Sequence, residues 1–314
     1  MVKNTQRNLL RALFSVVMAT SGIVPCGHAV AEQETSSRLL FRTGFEEDVE
    51  HVGENKGGDG AITRLKGKDR QTGCDAADLG TLIPGVKDFY IAYNCGRPHV
   101  DSTSMLVDAP EPGHGRVLKF QINSDDGEKY NARTACSFHL DPDTFKQLGV
   151  RYDFKIDASF VDFPATQQSW WVMSEIWGRQ YPNEGKVSLP VYLRLRGDKA
   201  VFSSVLQRRA SNSWRVLPPE DAPVIPIGQW VTIDMFLKPG PARTGRFYLA
   251  CNGSVVFDIA DKDIGKNDYK MALWSVMKLY LDLSIVDGMR ERGTPASVYY
   301  DNFEIWSGVP NKSL

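Results

Sequence analysis

Three stretches of the chain set charged and aromatic side chains at alternate positions between aliphatic ones: Val191-Tyr192-Leu193-Arg194-Leu195-Arg196, Val231-Thr232-Ile233-Asp234-Met235-Phe236-Leu237-Lys238 and Met277-Lys278-Leu279-Tyr280-Leu281-Asp282-Leu283-Ser284. Side chains two apart on an extended strand share a face. The spacing therefore groups Tyr192, Arg194 and Arg196, and separately Lys278, Tyr280 and Asp282, with Leu279, Leu281 and Leu283 turned to a core. The same count puts Arg133, Ser137 and His139 on one face, and Trp171, Met173, Glu175 and Trp177 on another. Guanidinium groups hold carboxylates or sulfates with two hydrogen bonds. A tyrosine beside a lysine can exchange a proton, as can a histidine. Indole rings stack on sugars, and Trp171 and Trp177 would form such a platform around Glu175. Such a surface can read a sugar chain, although solvated strand faces and ordinary core packing explain the same residue types.

Period-two patterning recurs over Arg38–Phe45, Arg116–Asn123, Asn131–Leu140, Val150–Ala158, Ser169–Trp177, Ser188–Arg196, Ala200–Gln207, Trp230–Lys238, Gly245–Cys251, Ser254–Ile259, Met277–Ile285 and Ser297–Trp306. Asn252-Gly253 between two of these runs has the composition of a two-residue type I′ hairpin. There is no internal repeat and no convincing long amphipathic helix. Twelve or so strands predict an all-β fold, two antiparallel sheets stacked as a β-sandwich of jelly-roll type. No low-complexity linker divides the chain, so residues 32–314 are expected to form one domain, with a loop-rich insertion at about 52–108.

Residues 1–31 combine Lys3, Arg7 and Arg11, an apolar run from Ala12 to Val24, and a small-residue end at Ala29-Val30-Ala31, the pattern of a secretory signal peptide. Its removal takes three cations and no acids from a chain with 37 basic and 38 acidic residues, leaving 34 minus 38, a net charge of −4. That balance argues against a nucleic-acid partner. No later run approaches the ~18 apolar residues of a membrane span, so a protein without membrane attachment, secreted or periplasmic and monomeric, is expected. Four cysteines remain after Cys26 leaves with the signal. Cys74 and Cys95 lie in turn-rich sequence and are expected to pair in an oxidising compartment. Cys136 and Cys251 fall on the apolar phase of strands, as a cross-sheet bridge or as two core thiols.

Gly228-Gln229-Trp230-Val231-Thr232-Ile233-Asp234, Asn252-Gly253 and the closing Tyr299-Tyr300-Asp301-Asn302-Phe303-Glu304-Ile305 resemble the second half of concanavalin A-like lectin/glucanase jelly rolls. Within that superfamily the order, over roughly residues 115–306, is most similar to polysaccharide lyases of the heparin lyase I and alginate lyase type. The resemblance implies a concave sheet with a polysaccharide groove and metal-independent β-elimination. Arg133 stands where such lyases carry an Arg-Ser-Glu-Leu-like motif, without the acidic residue. Glu175 and Trp177 stand in place of the Gln and His of a Gln-Ile-His-like strand, and Lys278 and Tyr280 resemble a Lys/Tyr strand with Asp282 where the Tyr is expected. In that mechanism Arg133 and Arg194 would hold a uronate carboxylate, His139 and Tyr280 or Tyr192 would move protons, and Trp177 would stack a sugar, with Trp171, Arg196, Lys278 and Asp282 as further contacts.

Two other readings stand beside it. A glycoside hydrolase on the same fold would use Glu175 with Asp282 or Asp234, since hydrolysis needs two carboxylates. A carbohydrate-binding protein without catalysis would keep the scaffold and lose the motifs. Glu46 and Asp301 resemble the early and late acids that hold a structural Ca²⁺ in some sandwich domains, and catalysis itself is expected to need no cofactor.

Overall fold

A computed structural model of the chain describes residues 37–310 apart from 47–48, 55–61, 69–72, 74, 96, 99, 124–131, 162, 164–169, 179–187, 208–212 and 266–270. The expected signal peptide at 1–31 and Cys74 lie outside the described residues. Residues 35–314 form one compact unit.

The strands are β1 (Leu39–Thr43), β2 (Glu50–Glu54), β3 (Ile62–Lys66), β4 (Val86–Asn94), β5 (Ser102–Asp108), β6 (Arg116–Ile122), β7 (Arg133–Leu140), β8 (Leu148–Ile156), β9 (Trp171–Gly178), β10 (Ser188–Arg196), β11 (Lys199–Gln207), β12 (Trp214–Val216), β13 (Val224–Pro226), β14 (Trp230–Lys238), β15 (Arg246–Cys251), β16 (Ser254–Ile259), β17 (Met271–Leu281) and β18 (Ala296–Trp306). They form two antiparallel sheets. One runs β16-β15-β14-β8-β18-β6-β5 with β1 also on β18; the other runs β12-β11-β10-β9-β17-β7-β4-β3-β2 with β13 also on β11. The all-β sandwich expected from the patterning is thus present. The Asn252-Gly253 hairpin closes between Cys251 and Ser254 with positive φ at both turn residues, 48° and 76°, the combination that a type I′ turn requires.

Segment 52–108 departs from expectation. It is not chiefly loop: β3, β4 and β5 lie within it, together with the short α1 (Leu79–Leu82). β4 runs beside β7 across its whole length, from Val86↔Leu140 to Asn94↔Arg133. Phe89, Ile91 and Tyr93 alternate into the core there, so a β4 period-two signal was present in a stretch whose glycines and charges point to turns.

Between the sheets lies an aromatic layer. Trp171 stacks on Phe160 with ring centroids 5.9 Å apart and meets Phe154 edge-on, while Tyr300 contacts Phe120, Tyr152 and Phe154. Cys136 on β7 and Cys251 on β15 are buried thiols in opposite sheets, so the bridge is absent and the core-thiol alternative holds. Burial pushes the Cys136 thiol up, and with the nearby Asp234 carboxylate pushes Cys251 up to about 12. Among the described residues no helix is long and apolar enough to cross a membrane.

The strand expected over Met277–Ile285 ends at Leu281. Asp282 then caps α2 (Leu283–Glu291), its carboxylate accepting from the Ser284 amide at 3.0 Å and the Ser284 hydroxyl at 2.6 Å. An aspartate that satisfies the first free N–H of a helix is spent on that helix, so Asp282 is a cap and not a groove residue, and Leu283 opens the helix instead of continuing a core face.

Candidate active site

The outer face of the second sheet carries a groove lined by Arg133, Trp170, Val172, Glu175, Trp177, Tyr192, Arg194, Ser203, Ser204, Leu206, Arg215 and Tyr280. Its floor follows from register. Residues directly opposite one another in antiparallel strands point the same way, and one transverse row reads Arg133↔Tyr280↔Val172↔Tyr192↔Ser204 across β7, β17, β9, β10 and β11. A second reads Asp88↔His139↔Leu273↔Trp177↔Ser188.

Strict alternation fails on two central strands. On β17, Ser275 faces Ser137 and Met277 faces Cys136, so Val276 is an inserted residue. Before it the odd-numbered Leu273 and Ser275 belong to the groove rows; after it the even-numbered Lys278 and Tyr280 do, with Leu279 and Leu281 fully buried. On β9, Val172 and Glu175 both line the groove although three positions separate them, and they face Tyr280 and Ser275, five positions apart on β17. These bulges leave carbonyls outside the regular ladder, and side chains take them up. Ser174 Oγ donates to Ser275 O at 2.8 Å, Tyr152 Oη, from the opposite sheet, to Val276 O at 3.0 Å, and Trp171 Nε1 to Lys278 O at 3.3 Å. A bulge whose carbonyls are each bonded is a fixed feature that re-aims the side chains beyond it.

The phase change corrects the tryptophan expectation. Trp171 and Met173 belong to the core, with Trp171 fully buried, so Trp171 is not a sugar platform. Trp170 faces the groove in its place. Its indole stands edge-on to Tyr280 at 4.8 Å and to Tyr192 at 6.4 Å, linking tyrosines that approach from β17 and β10.

Glu175 and Lys278 form an ion pair in which Nζ donates to Oε2, and their side chains are 6% and 3% exposed. Burial lowers the Lys278 pKa, the Glu175 carboxylate pulls it back up, and Arg133 lowers it further. The ammonium also lies 5.0 Å from the centre of the Tyr280 ring and 6.0 Å from that of Trp177. Arg133 covers the Tyr280 ring at 5.1 Å. Tyr280 is therefore flanked by two cations, and Glu175 is the one acid lining the groove among the described residues.

Several arginines elsewhere are matched to acids, Arg64 to Asp88, Arg97 to Asp101, Arg151 to Asp234, Arg246 to Asp258 and Arg290 to Asp287, while Arg116 and Arg292 bond backbone carbonyls. Arg133, Arg194 and Arg215 line the groove, and among the described residues none of them is paired with a carboxylate. Arg215 sits on three-residue β12, too short for any periodicity to mark it; neither it nor Trp170 was singled out by sequence.

The remaining expected residues lie elsewhere. His139 is exposed on the groove side of β7 but six positions from Arg133, about 20 Å along the strand, and it is outside the groove lining. Arg196 is exposed at the end of β10, beyond the lining. Asp234 is on the opposite sheet, held by Arg151 Nε at 2.6 Å. Glu46 and Asp301 also belong to the other side of the sandwich, close to Gly44. Asp301 accepts from the Asn302 amide at 2.7 Å and bonds His114 Nδ1 at 2.8 Å. Among the described residues no group of three or more His, Cys, Asp or Glu gathers in a metal-binding arrangement. Cys95 is buried, and its expected partner Cys74 is outside the described residues.

No family model matches the chain, and no curated protein matches it by sequence. Among solved structures it is similar to the endo-β-1,4-glucuronan lyase of the fungus Trichoderma reesei, at 15% identity over 69% of this chain and 94% of that one, with a TM-score of 0.46. It is similar to alginate lyase vAL-1 from a Chlorella virus at 12% identity, over 65% and 88% of the two chains, with a TM-score of 0.37. It is also similar to the binding domain of botulinum neurotoxin DC, in complex with SialylT, at 8% identity over 85% and 50%, with a TM-score of 0.36.

Proposed function

We propose that the groove binds an acidic polysaccharide and cleaves it by β-elimination. The observation that carries this reading is the charge arrangement: among the described residues, arginines with no acid partner surround two tyrosines, while the one lining carboxylate is already paired with Lys278. A neutral polymer would leave those guanidinium groups without a counter-charge; a polyuronate supplies it.

In the reaction, Arg133 neutralises the carboxylate of the sugar that reacts, which makes its C5 proton removable. Tyr280, entering the step as the phenolate, takes that proton and becomes the neutral phenol, while the negative charge that develops on the sugar is offset by Arg133. The electrons form a C4–C5 double bond as the C4–O bond breaks, and Tyr192 protonates the departing oxygen. Trp170 and Trp177 stack sugar rings on either side. His139, given its distance along β7, is left out of the proton transfers. Hydrolysis is disfavoured because it needs a second carboxylate near Glu175; Asp282 is engaged as a helix cap and Asp234 lies on the other sheet. With the leader expected at residues 1–31, the protein would act in the periplasm or outside the cell.

The test is ultraviolet absorbance of unsaturated sugar ends released from a panel of polyuronates by the mature protein. A signal that disappears in Tyr280→Phe while polymer binding is retained supports the mechanism. New reducing ends without unsaturation would replace it with hydrolysis, and binding without either product would leave a carbohydrate-binding protein.

A further inference from the structure

Between Ser275 and Tyr280, the strand that carries the tyrosine and lysine of the groove is not held by its neighbour β9. Ser275 pairs with Glu175 and Tyr280 with Val172, so four residues of β17, 276–279, run past two of β9, 173–174. Val276 has no register partner on β7 either, where Ser275 faces Ser137 and Met277 faces Cys136. A stretch outside the ladder keeps its place only if another group bonds its backbone, because a buried carbonyl left alone is costly. Val276 is fully buried, and the group that bonds its carbonyl is the Tyr152 hydroxyl at 3.0 Å. Tyr152 stands on β8, a central strand of the opposite sheet, with the Tyr300 ring edge-on to it at 5.6 Å. The hydrogen bond therefore spans the core. Burial, with the Cys251 and Cys136 thiols nearby, pushes the Tyr152 pKa up, so the phenol keeps the proton that it donates. Lys278 lies two residues beyond Val276 and Tyr280 four, both on the groove side of the strand, with the ammonium 5.0 Å from the centre of the Tyr280 ring.

We propose that Tyr152 is a positioning residue for the elimination: from the far sheet it fixes the β17 backbone at Val276, and so sets where Lys278 and Tyr280 meet the sugar, without touching the substrate itself. This rests on the reading of the groove as a β-eliminating site. A misplacement of about 1 Å in a reacting group can cost about a hundredfold in rate, so a bond at the root of the bulge is worth more to turnover than to binding.

The experiment compares the wild-type mature protein with two variants. Tyr152→Phe removes only the hydroxyl that bonds Val276; Tyr300→Phe removes a hydroxyl from the adjoining buried tyrosine, whose ring packs on Phe120, Tyr152 and Phe154. Both keep the ring and open no large cavity, so both should fold, as urea unfolding will check. Cleavage of polyglucuronate and alginate is followed by unsaturated-end absorbance, and the strand itself by amide hydrogen exchange. Tyr152→Phe should lose about ten- to a hundredfold in kcat with KM within about twofold of wild type. Its amides over 276–281 should exchange at least about tenfold faster while those of β14 keep their protection. Tyr300→Phe should match the wild type in kcat and in exchange over 276–281, even where its urea midpoint falls as far. A kcat in Tyr152→Phe within about twofold of wild type overturns the proposal. So does an equal kcat loss in Tyr300→Phe, which would make the effect one of core stability. Unchanged exchange over 276–281 in Tyr152→Phe overturns it whether or not polymer is cleaved. If the wild type makes no unsaturated ends, β-elimination falls by itself, and faster exchange in Tyr152→Phe alone would still establish Tyr152 as the residue that holds the groove strand.

Discussion

Replacing Glu175 by Gln tests whether the centre of the groove depends on a buried ion pair. The substitution keeps shape and an acceptor oxygen but removes the charge opposite Lys278, whose side chain is 3% exposed. Stripping one partner from a buried pair strands the other charge and costs about 3–5 kcal/mol. The remaining amide oxygen and the rings of Tyr280 and Trp177 place the expected loss near the lower end, about 3 kcal/mol. Against the roughly 5–15 kcal/mol of an ordinary domain the variant should still fold. The sign with pH is set by Lys278, whose pKa lies below 10.5 because burial outweighs Glu175. Between that lowered value and 10.5 the unfolded chain carries a proton the folded chain has released, so stability rises with pH there and is flat below it. Without Glu175 the lysine releases its proton at still lower pH, so the variant begins to recover before the wild type does. Urea unfolding at about pH 7 and about pH 9.5 should thus show a difference that shrinks as pH rises. Glu175→Leu combined with Lys278→Met should restore most of the loss, because no charge is left stranded. A loss under about 1 kcal/mol at neutral pH, or one identical at both pH values, would refute a buried, coupled pair.

The paired tryptophans should separate cleanly. Trp171→Ala should cost about 3–5 kcal/mol by emptying the core against Phe160 and Phe154, whereas Trp170→Ala should leave the urea midpoint nearly unchanged and weaken polymer binding. In a thiol-labelling assay at mildly alkaline pH, Cys136 and Cys251 should resist modification until the chain is unfolded. Rapid labelling of either in the native protein would contradict their burial and raised pKa.

Much of the sandwich was legible because period two is a direct consequence of strand geometry: Ser188–Arg196, Trp230–Lys238 and Ser254–Ile259 form with the expected limits. Arg133, Tyr192, Arg194 and Tyr280 reach the groove for the same reason. Alternation could not reveal a bulge, since an inserted residue leaves the local composition unchanged. Trp171 was therefore taken for its neighbour Trp170, although Lys278 fell on the groove side as counted within its own half of β17. Asp282 continued the pattern of β17 in sequence, but its side chain bonds its own following backbone, a local competition that ends a strand without disturbing its apolar rhythm. Arg215 sits on a three-residue strand held by its pairing with β11, opposite Leu206, too short for alternation to mark it.

The extra residue at Val276 has a consequence for how this surface can change over time. It is absorbed by the bulge: remove it, and Ser275 is followed by Met277 in an unbroken ladder with Lys278 and Tyr280 still on the groove side, whereas a one-residue change that no bulge takes up would turn them inward and Leu279 and Leu281 to solvent. A single-codon insertion or deletion without a bulge could therefore install or erase the groove chemistry in one step. A comparison that tolerates substitutions but places no gap within the strand would then set residues of opposite faces against each other.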